Sequence, residues 1–93
     1  MPERVRIEAH FSGHVQGVGF RFTAFDIADR FSGIAGFVRN LADGRVEVVA
    51  EGSEDQVNEF FAAVEDAMRS HIRSVDKKQL PAAGEFPSFT IAR

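Results

Sequence analysis

One segment of the chain, Gly13-His14-Val15-Gln16-Gly17-Val18-Gly19-Phe20-Arg21, has the residue types of an anion site. It lies between a strand pattern and a helix pattern, where backbone N–H groups at the helix start have no partners within the helix. Gly13, Gly17 and Gly19 permit positive φ angles and place no Cβ in the way of a ligand. Arg21 falls in the first helical turn, where a cation opposes the helix dipole unless an anion lies between them. The segment therefore predicts a site for a phosphate-like anion.

Two common phosphate loops do not fit this spacing. A Walker loop needs two glycines five positions apart followed by lysine, and a dinucleotide fingerprint needs a glycine where Phe22 stands. The structural alternative is a glycine-rich connector with a solvated Arg21. The loop alone does not exclude that alternative, because such motifs have a high false-positive rate.

Hydrophobic periodicity predicts the elements that position this loop. Strands are expected over 5–11, 34–40, 45–51 and 72–80, and helices over 20–31 and 53–68, with the first helix ending near Ser32-Gly33. A hairpin turn at Asp43-Gly44 joins the second and third strands, and Ser53-Glu54-Asp55-Gln56 forms a capping box for the second helix. A last extended segment carries Phe86, Phe89 and Ile91, and Pro87 restricts it to an edge or bulged strand.

The order β-α-β-β-α-β predicts an α+β domain of the ferredoxin-like arrangement. In that arrangement two right-handed crossovers place both helices on one face of a four-stranded antiparallel sheet. The 93 residues allow one domain, which we expect to span residues 1–93.

Composition excludes several classes of function. With 44% hydrophobic and 27% charged residues, the chain is expected to be globular. A net charge of −3 provides no basic field for nucleic acid or anionic lipid, and the absence of cysteine excludes disulfides, thiolate metal sites and a cysteine nucleophile. The start of the sequence runs into a strand pattern with no apolar signal region, and no apolar run is long enough to span a bilayer. We therefore expect a cytoplasmic protein with no membrane and no nucleic-acid partner.

Two motifs make the resemblance to a known family specific. The segment Val15-Gln16-Gly17-Val18-Gly19-Phe20-Arg21 resembles the first signature of the acylphosphatase family. Gly36-Phe37-Val38-Arg39-Asn40, followed by Gly44-Arg45-Val46 and Gly52, resembles the second. The likeness extends to the closing Phe89-Thr90-Ile91 and so covers essentially the whole chain. One residue is extra between Arg21 and Asn40, most simply near Ser32-Gly33, where it is expected to leave the loop untouched.

The resemblance implies hydrolysis of carboxyl-phosphate anhydrides to carboxylate and inorganic phosphate, without metal, cofactor or phosphoenzyme. It assigns phosphate binding to the loop residues Val15, Gln16, Gly17, Val18, Gly19, Phe20 and Arg21, and orientation of the attacking water to Asn40. Arginine suits phosphate because its planar fork binds two oxygens, and an asparagine amide can both accept from water and donate to it. The partners implied are a small-molecule acyl phosphate and inorganic phosphate as product and inhibitor, bound by a free-standing monomer.

Rival functions remain open at this point. The first is a non-catalytic phosphate- or anion-binding module, in which Asn40 would only open the turn before Asp43-Gly44. An RNA-recognition domain shares the element order, but strand 45–51 has no aromatic residue to stack on bases. A third is an acylphosphatase-like domain of a larger maturation enzyme that handles carbamoyl phosphate.

Other titratable residues are weaker candidates. His14 lies in the loop without an apparent carboxylate partner, so we interpret it as a residue near solvent. Three scattered histidines without cysteine do not make a zinc site. Glu51, Glu54 and Asp55 are interpreted as charges at the start of the second helix.

Overall fold

The structure is a computed structural model that describes residues 3–92. Its elements follow in the order β1 (Arg4–Gly13), α1 (Phe20–Ala28), β2 (Ala35–Asn40), β3 (Val46–Ser53), α2 (Glu54–Ala67), β4 (Ile72–Pro81) and β5 (Phe89–Ile91). The first six elements confirm the predicted β-α-β-β-α-β order and the ferredoxin-like α+β fold.

In the described part of the chain, the sheet has five strands in the order β4-β1-β3-β2-β5. Its first four strands are antiparallel neighbours, as predicted. The last strand corrects the expectation of a wholly antiparallel sheet, because β5 pairs parallel to β2, with Gly36 opposite Phe89. The chain leaves β4 at one edge and crosses the sheet face opposite the helices, so it reaches β2 in the parallel direction. As Pro87 indicated, β5 is a short edge strand.

The core lies between the sheet and the two helices. Alternate residues of β1, from Val5 to Phe11, are buried against the helices, while the residues between them face the other side. The rings of Phe11 and Phe20 lie 5.0 Å apart between centroids. Because Phe20 is the first residue of α1, this contact fixes the start of the helix, and with it the end of the glycine loop, against β1.

Helix α2 begins as predicted, and α1 ends earlier than predicted. Ser53 caps α2 by accepting a 3.3 Å hydrogen bond from the Gln56 N–H. Helix α1 ends at Ala28 because the N–H groups of Arg30 and Phe31 donate to carbonyls only three residues back, Phe31 N–H to the Ala28 carbonyl at 3.0 Å. Phe31 still packs on the core from this turn, so the apolar stripe predicted a longer helix than the structure shows. Neither helix within residues 3–92 has the length and hydropathy needed to cross a bilayer.

Candidate active site

The glycine loop folds into a cradle at the N-terminus of α1. Gly17 and Gly19 have φ angles of 78° and 80°, in the left-handed region that favours glycine. Gly19 is the N-cap of α1, no side chain among residues 3–92 caps this helix, and its first turn carries no acidic residue. The helix start is therefore left open toward the loop.

The cradle contains a run of backbone N–H groups without hydrogen-bond partners among the described residues. The flanking N–H groups have partners, since His14 N–H donates to the His71 carbonyl at 2.9 Å and Thr23 N–H to the Gly19 carbonyl at 3.0 Å. Between them, the N–H groups of residues 15–22 donate to no acceptor in the part of the chain that the structure describes. Buried or ordered N–H groups normally have partners, so a run of unpaired donors at a helix N-terminus is suited to binding an anion.

A pocket of about 100 Å³ opens at the cradle. It is lined by Val15, Gly17, Gly19, Phe20, Arg21, Phe22 and Asn40. Five of the seven predicted loop residues thus line the pocket, whereas Gln16 and Val18 do not. Within residues 3–92, Arg21 has no ion pair or side-chain hydrogen bond. Its guanidinium is accordingly available to a ligand.

Asn40 reaches the pocket from a different element. It is the last residue of β2, and strand alternation places it on the same face as the fully buried Val38, which is the face covered by the helices. Its side-chain amide makes no hydrogen bond to any of the described residues. Ser32-Gly33, near which the extra residue is predicted, lie in the turn region after α1, and Asn40 lines the same pocket as Arg21.

Gln16 connects the loop to the β2–β3 hairpin. Its side-chain NH₂ group donates to the main-chain carbonyl oxygens of Leu41 at 2.8 Å and Arg45 at 2.9 Å. The sequence identified Gln16 only as part of the phosphate loop and carried no signal for this connection. Phe22 was also not predicted to line the pocket. The sequence indicated only that Phe22 occupies a position where a dinucleotide fingerprint would need glycine.

The remaining titratable candidates do not line the pocket. His14 is exposed as expected, with its ring 6.0 Å from that of His71 between centroids. No group of three or more histidine or acidic side chains among residues 3–92 is arranged to hold a metal ion. Glu54 and Asp55 lie in the first turn of α2, as predicted.

The interpretation of Glu51 as a helix-start charge was wrong. Glu51 lies in β3 on the face opposite the helices and is only 1% exposed. Burial alone would raise the pKa of its carboxyl, but the N–H groups of Ala83 and Gly84 and the Arg6 guanidinium hold that pKa below its usual range. Glu51 therefore anchors the β4–β5 connection and takes no part in the pocket.

Comparison with known proteins identifies the family. The Acylphosphatase family model matches residues 7–91. The acylphosphatase of Caldanaerobacter subterraneus subsp. tengcongensis is 36% identical over 86 residues, covering 91% of this chain and 94% of that protein. That of Acaryochloris marina is 42% identical over 96 aligned residues, covering 100% of this chain and 99% of that protein. The crystal structure of the Bacillus subtilis acylphosphatase superposes with a TM-score of 0.86 at 32% identity, covering 96% of this chain and 99% of that chain. The chain therefore belongs to the acylphosphatase family, whose members are hydrolases of acyl phosphates.

Proposed function

We propose that this chain hydrolyses acyl phosphates to a carboxylate and inorganic phosphate by direct attack of water on phosphorus. The observation that carries the proposal is the shared pocket, in which the N–H-rich cradle, Arg21 from α1 and Asn40 from β2 line one volume. The cradle and Arg21 provide positive electrostatic potential, and Asn40 provides a neutral group that can hold water. An anion site alone would need only the first two.

The cradle and Arg21 bind the phosphoryl oxygens. Unpaired N–H groups of the cradle donate to these oxygens, and the Arg21 fork donates two further charge-assisted bonds. As the phosphoryl group passes through a loose transition state, charge remains spread over its three equatorial oxygens. Donors that are already oriented stabilise that charge without reorganising, which is the largest contribution available to such a site.

Asn40 orients the attacking water. Its carboxamide oxygen accepts a hydrogen bond from the water, and its NH₂ group donates to a phosphoryl oxygen, so that the water oxygen lies in line with phosphorus. No basic side chain is assigned to this step, because proton loss from water lags behind bond breaking in a loose transition state.

The reaction balances without an acid catalyst. The water oxygen forms a bond to phosphorus, the bond from phosphorus to the acyl oxygen breaks, and its electron pair leaves on the carboxylate. The water protons pass to the phosphate product and to solvent. The carboxylic acid product has a pKa of about 4, so the leaving group departs as the carboxylate at neutral pH and needs no proton. We propose that neither metal nor phosphoenzyme is required, since Arg21 provides the cationic group and water attacks phosphorus itself.

Inorganic phosphate should compete with substrate, because it presents the same oxygens to the cradle. We propose a monomer, since all residues assigned to the reaction come from one chain. A cytoplasmic location is proposed with it, because a chain without cysteine does not depend on an oxidising compartment.

The experiment measures phosphate release from benzoyl phosphate in the presence of EDTA, for the wild type, Asn40→Ala and Asn58→Ala. Asn58 is an exposed asparagine of α2 and provides the matched control. We expect turnover in the wild type and the control, and a kcat reduced by about 10²-fold or more in Asn40→Ala with phosphate inhibition retained.

Two outcomes would overturn this proposal. Phosphate binding without turnover in the wild type would identify the non-catalytic anion-binding module, an alternative that the family match does not favour. Loss of turnover in EDTA that added magnesium restores would refute the metal-free mechanism.

A further inference from the structure

The pocket at the cradle is smaller than most pockets that enclose a whole ligand. Its volume is about 100 Å³. Pockets that enclose whole small-molecule ligands are usually about 300–1,000 Å³. If the phosphoryl group and the attacking water occupy the pocket, the acyl group must lie outside, on the rim.

Two exposed aromatic rings lie beside that rim. Phe22 is 67% exposed and Phe25 is 39% exposed, and these are the exposed large hydrophobic side chains among residues 3–92. They are three positions apart on α1, so they are neighbours on the outer surface of one helix. Phe22 also lines the pocket and directly follows Arg21.

A second concavity lies beyond the pocket. Phe25 lines this open concavity of about 430 Å³, whose other residues are both apolar, such as Phe31, and polar, namely Asp29, Ser32 and Ser88. This concavity lies between the end of α1 and the β2–β5 edge of the sheet. Exposed aromatic side chains beside a site with a few polar groups are typical of ligand-binding surfaces.

We infer that Phe22 and Phe25 form a binding subsite for the acyl group, so that the enzyme favours acyl phosphates with aromatic or bulky apolar acyl groups. This inference rests on the proposed function. Phe22 contacts the part of the acyl group next to the anhydride, and Phe25 contacts larger groups that extend toward the second concavity. Acetyl phosphate, whose acyl group ends in one methyl, gains little from either ring.

The experiment compares kcat/KM for benzoyl phosphate with kcat/KM for acetyl phosphate in each variant. Dividing one by the other removes effects on phosphoryl binding and on the chemical step that both substrates share. The variants are Phe22→Ala, Phe22→Leu, Phe25→Ala and the control Phe37→Ala. Phe37 packs against Phe86 with ring centroids 5.8 Å apart on the face away from the pocket, so its truncation removes an equivalent ring elsewhere.

We expect the benzoyl-to-acetyl ratio to fall roughly tenfold in Phe22→Ala, in the range of losses caused by removing apolar contacts from a binding site. Phe22→Leu should recover part of the ratio, Phe25→Ala should lower it less, and Phe37→Ala should keep the wild-type ratio. Equal losses for both substrates in Phe22→Ala would overturn the inference and assign Phe22 to the shape of the cradle. An unchanged ratio in all variants would overturn it as well. Absence of turnover of either substrate by the wild type would instead refute the proposed function.

Discussion

The side-chain NH₂ group of Gln16 donates a 2.8 Å hydrogen bond to the main-chain carbonyl oxygen of Leu41, the residue that follows Asn40. A second bond of 2.9 Å reaches the carbonyl of Arg45, to which the Leu41 N–H also donates at 2.8 Å. Both acceptors are carbonyl oxygens, so the amide must present its NH₂ group to the hairpin. Gln16 thereby joins the cradle to the hairpin that carries Asn40, and we interpret it as a positioning residue for the proposed water site.

Removing this connection should reduce turnover by acting through Asn40. We expect Gln16→Ala to lower kcat roughly tenfold while phosphate inhibition changes less, since a misplaced catalytic group affects the chemical step more than binding. The measurement is a double-mutant cycle with Asn40→Ala, in which the Gln16 substitution should have little further effect. Gln79→Ala, which removes an exposed glutamine bonded to Glu54 at 3.2 Å, provides the control.

Additive losses in that cycle would show that Gln16 acts independently of Asn40. Wild-type kcat in Gln16→Ala, accompanied only by a lower Tm, would restrict Gln16 to a structural role. Either result would leave the assignment of Asn40 itself to be judged from its own variant.

Arg21 should contribute to both binding and turnover. Arg21→Ala is expected to lower kcat/KM by about 10²–10³-fold and to weaken inhibition by phosphate, because it removes a charge-assisted donor from the phosphoryl oxygens. Arg21→Lys keeps the charge but loses the planar fork, so it should recover only part of the activity. Arg30→Ala, an exposed arginine just beyond the end of α1, is the matched control. Wild-type activity in Arg21→Ala would remove Arg21 from the mechanism.

The resemblance carried by the two motifs predicted Arg21 and Asn40 as site residues, and the structure places both at one pocket. The start of α1 and the end of β2 lie at the same end of the sheet, which is how the predicted fold brings the two residues together. The direction of the Gln16 side chain could not be predicted from the sequence. It depends on the path of an irregular loop, which has no hydrophobic periodicity to indicate which way a side chain points. The same limit applies to the position of Phe22 at the pocket.

Glu51 and β5 were misjudged for another physical reason. Alternation along β3 places Glu51 opposite Arg6, on the face away from the helices, which local patterning treats as solvent-exposed. At Glu51 that face is covered by the β4–β5 connection. The contacting residues of this connection, Ala83 and Gly84, follow Glu51 by 32 and 33 positions in the sequence, so local patterning does not show the contact. Strand β5 has three residues, too few to show a period, and its parallel pairing follows from where this connection leads.

The conformation of Gly19 should matter more than the space around it. A Cβ at Gly19 would meet nothing within 4 Å, but its φ of 80° is strained for other residues. We expect Gly19→Ala to cost about 1–2 kcal/mol of unfolding free energy and to weaken phosphate inhibition, because relief of the strain rotates the amides of the cradle. Gly84→Ala is matched in φ, at 72°, and also has open space, but it lies in the β4–β5 connection.

The two glycine variants separate stability from binding. Both should lower the midpoint of urea unfolding by similar amounts, while only Gly19→Ala should raise the inhibition constant of phosphate. Equal phosphate inhibition in the two variants would contradict a cradle built on this backbone conformation.

The buried carboxylate of Glu51 makes the stability of the fold depend on pH. It accepts from Arg6 Nε at 2.7 Å and from the N–H groups of Ala83 and Gly84 at 2.9 Å each, and so fastens the connection that leads to β5. The Arg6 guanidinium also lies 5.0 Å from the centroid of the Phe86 ring in the same connection. These donors stabilise the ionised carboxyl relative to the protonated one.

Acidification should therefore weaken the fold through Glu51. Because the folded-state pKa is below the ordinary glutamate value of about 4.3, its stabilisation is complete above that value and is lost as pH falls through the folded-state pKa. Glu51→Gln should cost about 1–3 kcal/mol near neutral pH, the cost of leaving buried donors unpaired, and should flatten the decline in acid. The measurement is urea unfolding of both proteins from pH 7 to pH 3. The decline should persist in part, since Arg39 and His10 also lower the pKa of Glu47 against the effect of its burial. An equally steep decline in the variant would show that Glu51 does not control the acid stability of this fold.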